Sequence, residues 1–356
     1  MTSETKVTQV SPVNMFDFDR VVKVTCHANC SYQRSCVLNA FVKDGKILRL
    51  EQDNDYLLQN DPDLPDWNPR GCQKGMVGVH RMEDESRLLH PLKRMGKRGE
   101  CKWKQVSWDE ALTDIADTMI DVLTTEGVDT IIRFPGSGGA MGSETASYEA
   151  LMQALGVPFG SIMTDLGDEH QGTALVFGQP YVGSSVDNWY YADILLIWGG
   201  NPAYTNINNY HFITEARYNG TKIVTISPDF SASAVQADLW VPVNIGTDAA
   251  LALSMAHVII RDKLYKADFI MEQTDLPILV RDDNKKFLRQ ADMKRGGRDD
   301  IYYFWDKSTN RIVEAPWQSI ALGNIVPTLE GEYEAKTLKG RVRVRPVFEL
   351  LKKKLE

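Results

Sequence analysis

The chain has 356 residues, 43% hydrophobic and 25% charged, which excludes a disordered, collagenous or coiled-coil protein and suggests two or three domains. Forty basic against 48 acidic residues leave a net charge of −8, a poor balance for non-specific nucleic-acid binding. No apolar run approaches the about 18 residues that a membrane-spanning helix needs.

The first hundred residues read as β-rich. VVKVTC (21–26) alternates as a strand does, and NAFVKDGKILRL (39–50) is a hairpin about Asp44-Gly45. NDPDLPDWNPRG (60–71) is loop. From Ser107 the texture becomes helical: Ser107 and Glu110 form a capping box, and Gly127 ends that helix. The spacing then predicts a strand over 129–134, a loop over 135–142 and a helix over 143–155. Strands follow at 192–198, 221–227 and 237–243, with helices at 208–220 and 247–264. After Asp282 the chain reads as charged and irregular, ending in a strand and a helix with nothing after it to pack against. The expected fold class is α/β: a small β-rich domain (1–106), then a Rossmann-like parallel-sheet domain (107–330), then the start of a further segment (331–356). The N-terminus has no basic region, apolar stretch or twin arginine, so the expectation is cytoplasmic, or periplasmic if a leader was removed.

Cysteine usage is the first chemical signal. Of five cysteines, Cys26, Cys30, Cys36 and Cys72 lie in the first 72 residues, separated by three, five and thirty-five residues, with Cys101 left over as a packed or surface thiol. A chain large enough to build its own core does not need disulfides confined to one end, so the cluster points to metal. Three thiolates on one loop and a fourth from a distant one suit a cubane iron–sulfur cluster. Zinc prefers two close cysteine pairs, and only one pair here fits. Zinc and unligated thiols remain open on spacing alone.

Cys26-His27-Ala28-Asn29-Cys30, Tyr32-Gln33-Arg34-Ser35-Cys36 and Asn68-Pro69-Arg70-Gly71-Cys72-Gln73-Lys74-Gly75 resemble the cluster region of the molybdopterin oxidoreductase (dimethyl sulfoxide reductase) family. His80-Arg81-Met82, Arg87-Leu88, Pro91-Leu92-Lys93-Arg94 and WKQVSWDEA (103–111) continue the resemblance. The match is to the catalytic subunits of the nitrate reductase, selenate reductase and ethylbenzene dehydrogenase branch, over their N-terminal portion only. The resemblance implies a [4Fe-4S] cluster on Cys26, Cys30, Cys36 and Cys72, with His27 replacing Cys26 as the alternative. It implies that Lys74 lies between cluster and pterin.

The resemblance also implies a molybdenum bis(molybdopterin guanine dinucleotide). Trp198-Gly199-Gly200-Asn201-Pro202, Ser227-Pro228-Asp229 and Gly246-Thr247-Asp248 each follow a predicted strand, where a parallel sheet presents ligands. Glycine lets backbone approach phosphate, helix N-termini favour anions, and carboxylates accept from ribose or guanine. Asn201, Pro228, Asp229, Gly246, Thr247 and Asp248 are the candidate contacts. Ser137, Gly138 and Gly139 are weaker ones. TDLGDEHQG (164–172) matches the region that ligates molybdenum, with Asp168 as the oxygen ligand, Asp165 as runner-up and His170 as a proton donor in the same pocket. The implied activity is oxygen-atom transfer or hydroxylation on an oxyanion or hydrocarbon, with Tyr32-Gln33-Arg34 leaning toward the hydrocarbon dehydrogenases. An iron–sulfur electron-transfer subunit is the implied partner, and a second polypeptide or a C-terminal half is expected to complete the active site. Two alternatives stand beside it: an incomplete electron-transfer or binding module, and a nicotinamide enzyme using GSGGAMG (136–142 with Pro135 before it), which leaves the cysteines unexplained.

Overall fold

A computed structural model describes residues 16–26, 36–55, 61–66, 71–133, 143–158, 171–179 and 183–356. These part into two compact units between Pro242 and Val243.

In the first unit β1 (Arg20–Thr25), β2 (Val37–Lys43) and β3 (Lys46–Gln52) form an antiparallel sheet with β2 central. Alternation along β2 sends Leu38, Ala40 and Val42 to one buried face. The β2–β3 turn is the expected hairpin. Asp44 (φ 48°) and Gly45 (φ 77°) both adopt the left-handed region, the geometry that matches strand twist and that Asp-Gly tolerates. Leu38, Ala40 and Leu50 pack with Val79, which lies on a short helix, α2 (Gly78–Met82), directly behind α1 (Gln73–Met76). A small hairpin joins β4 (Leu92–Arg94) to β5 (Trp103–Gln105).

Helix α3 (Trp108–Thr125) begins where its cap predicts, with the Ser107 hydroxyl accepting the Glu110 N–H at 3.0 Å. The expected strand at 129–134 is corrected over its described part. Val128–Thr130 is a 3-10 turn, and only Arg133 bridges, through its N–H to Pro158 O. Thr130 Oγ1 donates to Gly127 O at 2.8 Å, a local bond of the kind that competes with a ladder. Next come α4 (Ser143–Ala154), α5 (Gln171–Phe177) and a 3-10 helix at Val186–Tyr191.

The parallel sheet is present: β6 (Ile194–Trp198), β7 (Lys222–Ile226) and β8 (Leu239–Val241), in that order. Between β6 and β7 lie α6 (Pro202–Thr205) and α7 (Ile207–Tyr218). Ile213 of α7 packs on Ile197 and Ile223, covering one sheet face. Asp238 accepts the Ile223 N–H at 2.8 Å, and that bond, helped by Lys222, holds its carboxyl below the usual carboxylate range.

The second unit opens with α8 (Asp248–Arg261) and α9 (Ala267–Gln273). Beyond Asp282 the chain is regular where irregularity was expected. Strands β9 (Leu279–Arg281), β12 (Tyr333–Thr337) and β13 (Gly340–Pro346) form an antiparallel sheet with β13 central. Between them lie α10 (Gln290–Met293) and the hairpin β10 (Tyr303–Asp306)–β11 (Arg311–Glu314). Leu279, Leu288, Tyr303, Ala335 and Val344 make its core. Strand β13 lies in the terminal stretch where a strand was expected, whereas β9 was missed because it has only three residues and β12 because it alternates charged with small residues. The last helix, α11 (Val347–Leu355), is partnered by preceding chain: Phe348 meets the Tyr265 ring at 5.0 Å, and His257 Nδ1 donates to Leu355 O at 2.7 Å.

Candidate cluster and dinucleotide site

Strand pairing sets the positions of two cysteines. Cys26 follows β1 and Cys36 precedes β2, and the Cys26 N–H donates to Cys36 O at 2.9 Å, one step beyond the Thr25–Val37 pair. Cys72 is brought to the same end of the sheet by α1. It caps that helix, and the preceding Gly71 N–H donates to Gln52 Oε1 at 2.5 Å, at the end of β3. A side chain on Gly71 would meet Gln52 and Leu38 at 3.4 Å. Gly75 is tighter: a Cβ there would lie 2.8 Å from Cys26 Sγ. The backbone that carries Cys72 therefore rests against the Cys26 thiol, with space for hydrogen and no more.

Three of the four predicted cluster ligands thus share one neighbourhood. Cys30, with His27, lies outside the described residues. Among the described residues no three His, Cys, Asp or Glu side chains converge as a single ion requires. The donors gathered here are soft thiols on separate segments, which suits a multi-iron cluster. Beside them Asp53 is buried and accepts from Lys23 Nζ at 2.9 Å and from Asn39 Nδ2 at 3.2 Å. The lysine bond lowers its carboxyl from the ordinary range.

Lys74 reaches away from this arm. Its Nζ donates to Thr205 O at 3.2 Å, at the end of α6. That helix opens at Asn201, in the loop after β6. Gly199 in the same loop has φ 63° and donates its N–H to Ile226 O at 2.9 Å, which ties the β6 end to the β7 end. Ser233, fully buried, completes the tie: its hydroxyl donates to Asn201 Oδ1 at 2.8 Å and accepts the Ala203 N–H at 3.1 Å. After β7 the Ser227 hydroxyl donates to Asp229 O at 2.7 Å, and Pro228 and Asp229 are exposed at the carboxyl edge. Lys74, Asn201, Pro228 and Asp229 therefore lie in one unit and along one connected set of bonds. Gly246, Thr247 and Asp248 belong to the second unit. There Gly246 has φ 85°, Thr247 Oγ1 donates to Asn244 O at 2.7 Å, and Asp248 is the first residue of α8.

Ser137, Gly138, Gly139, Asp165, Asp168 and His170 lie outside the described residues. Sequence reasoning missed Gln52, Gly75, Ser233 and the Thr205 carbonyl. Gly75 stands in the quoted cysteine motif but was given no role, the other three belong to no local pattern, and each works through a partner distant in the chain.

Residues 19–84 match the molybdopterin oxidoreductase Fe4S4 domain, and residues 87–295 match molybdopterin oxidoreductase. The chain is 40% identical over 343 residues to the dimethylsulfide dehydrogenase alpha subunit of Rhodovulum sulfidophilum, covering 94% of this chain and 37% of that protein. It is 42% identical to the chlorate reductase alpha subunit of Ideonella dechloratans (93% and 36%) and 38% identical to the respiratory nitrate reductase alpha subunit of Haloferax mediterranei (96% and 36%). Among solved structures, acetylene hydratase from Pelobacter acetylenicus superposes with a TM-score of 0.55 at 28% identity, over 70% of this chain and 33% of that one. The chain spans little more than a third of the length of these relatives.

Proposed function

We propose, from the premise that this chain belongs to the molybdopterin oxidoreductase family and carries its Fe4S4 domain, that it is the cluster-bearing and dinucleotide-binding part of a molybdenum oxidoreductase catalytic subunit. The match over 19–84 accounts for the cysteines that the nicotinamide reading left unexplained. One observation carries the reading further than the match: the Lys74 ammonium, two residues from Cys72, bonds the loop that Asn201 opens. A single side chain so links the cysteine end of the sheet to the dinucleotide loops.

Cys26, Cys30, Cys36 and Cys72 would hold the cluster, and Gly75 leaves the room the Cys26 thiol needs. When bound, the two cofactors supply electron transfer and oxygen-atom or hydroxyl chemistry. This chain's residues bind and orient. Lys74 would supply a cation between cluster and pterin. Ser233 and Gly199 keep the two strand ends in register, so Asp229 offers its exposed carboxylate to donors of a guanine or ribose. Asp168 would give molybdenum a hard oxygen ligand, and His170 would hold a proton beside it. The substrate would be a small oxyanion, sulfide or hydrocarbon and the electron partner an iron–sulfur subunit; three relatives named as alpha subunits support partner subunits.

The test is metal analysis of the chain purified with its natural neighbours. About four irons per chain with molybdenum is expected. A normally folded preparation with neither metal overturns the reading. Asp168→Asn should keep the iron and abolish reduced-dye turnover with oxyanions.

A further inference from the structure

Residues 61–66 form a strap between Cys36 and Cys72, and they are fastened to the dinucleotide side of their unit by four bonds. Tyr190 Oη donates to Pro62 O at 3.0 Å and Tyr191 Oη to Asp63 O at 3.4 Å, both from the 3-10 helix. The Asp66 N–H donates to Glu215 Oε2 at 2.9 Å, from α7. The fourth bond is the unusual one. His211, also on α7, has Nε2 2.9 Å from Asp66 O and Nδ1 2.9 Å from Asn208 O. Both neighbours are backbone carbonyls, which only accept. A neutral imidazole carries one N–H and would turn a lone pair toward one of those oxygens; an imidazolium donates to both. The half-buried ring cannot swing out freely, because Phe212 lies against it at 4.0 Å.

We propose that His211 is a positioning residue: a proton-dependent buckle that closes the strap onto helix α7. The charged residues on the elements packed around it are Glu215 and Arg217 on α7, Asp61, Asp63 and Asp66 on the strap, and Asp187 on the 3-10 helix. Glu215 completes the grip, since its carboxylate takes the Asp66 N–H while the ring takes the Asp66 carbonyl. The backbone of one residue is thus held through both its N–H and its carbonyl by side chains one helical turn apart. The buckle does not depend on Cys72 being a cluster ligand.

Hydrogen exchange of the strap in the whole chain, corrected for intrinsic rates, tests it from about pH 5 to about pH 8, the range in which histidine ordinarily changes charge. Losing one charge-assisted bond should speed strap exchange about tenfold as the ring deprotonates. The nitrogen shifts of the His211 ring should report two N–H groups at the low end and one at the high end, in step with the exchange. His211→Gln should remove the step and leave the strap open at both ends of the range. Glu215→Gln should weaken protection yet keep the step. A parent chain without the step, or a His211→Gln chain that retains it, overturns the proposal. If His211→Gln does not fold, the parent's ring shifts decide it: a single N–H at the low end is fatal. Iron content is read separately, so loss of the cluster reading and loss of the buckle give different results.

Discussion

At the scale of single residues, the cysteines stood out because soft thiols at fixed spacing have few uses, whereas Lys74 stood out only through the family resemblance. The residues that make those positions work were not legible. Gly75 ends the motif around Cys72, but its role is not readable until Cys26 Sγ is found against it. This gives a sharp prediction. Gly75→Ala puts a methyl 2.8 Å from that sulfur, so either α1 or the thiol must shift by several tenths of an ångström. Overpacking of this kind costs about 1–3 kcal/mol. Here the movement falls on the segment carrying Cys72, so the loss should appear as a lower iron-to-protein ratio at nearly unchanged circular dichroism. Full iron content in Gly75→Ala would show that the Cys26 thiol is not fixed at this spot.

Elements were legible where a local rule acts alone. The Asp44-Gly45 turn, the Ser107 cap and the apolar strands of the parallel sheet are such cases. The strand expected at 129–134 gave way to a turn, because Thr130 bonds back to Gly127. In the second unit β12 (YEAKT) was hidden because it alternates charged with small or apolar residues, and β9 because its partner β13 comes from a distant segment. Its hairpin holds an electrostatic contact that can be measured. Tyr303 pairs across β10–β11 with Glu314, and its hydroxyl donates to Glu314 Oε1 at 3.3 Å. Burial first, and then the carboxylate's charge, push the phenol from 10 up to about 12. The folded state therefore keeps its proton after the unfolded state has lost it. The stabilising contribution is complete below pH 10 and is lost as pH rises through about 12. Tyr303→Phe should cost about 1 kcal/mol near neutrality, the worth of one hydrogen bond. The gap from the parent in denaturant midpoint should close between pH 10 and about 12. A gap constant across that window would remove Glu314 and burial as its cause.

For the whole molecule the decisive quantity is apolar surface. Helix α3 is strongly amphipathic, yet none of its residues is buried, and Leu112 and Ile115 stay 58% and 57% exposed. On β6, Ile194 and Leu196 point away from the face that α7 covers and are 58% and 46% exposed. Helix α8, in the other unit, likewise buries no residue. Amphipathic helices owe most of their stability to packing, and closed monomers seldom leave broad apolar faces in water. The relatives are almost three times as long and are named as subunits, so surfaces left open in this stretch are expected of it. Held apart only by a net charge of −8, the isolated chain should bind an apolar-surface dye such as anilinonaphthalene sulfonate under native conditions. Salt shortens the reach of that repulsion, to about 8 Å at physiological ionic strength, and leaves hydrophobic attraction intact. Light scattering should therefore rise with added sodium chloride, the reverse of what ion-pair-driven association would do. A chain that stays monodisperse in high salt and leaves the dye dark would mean that these faces are covered within the 356 residues themselves.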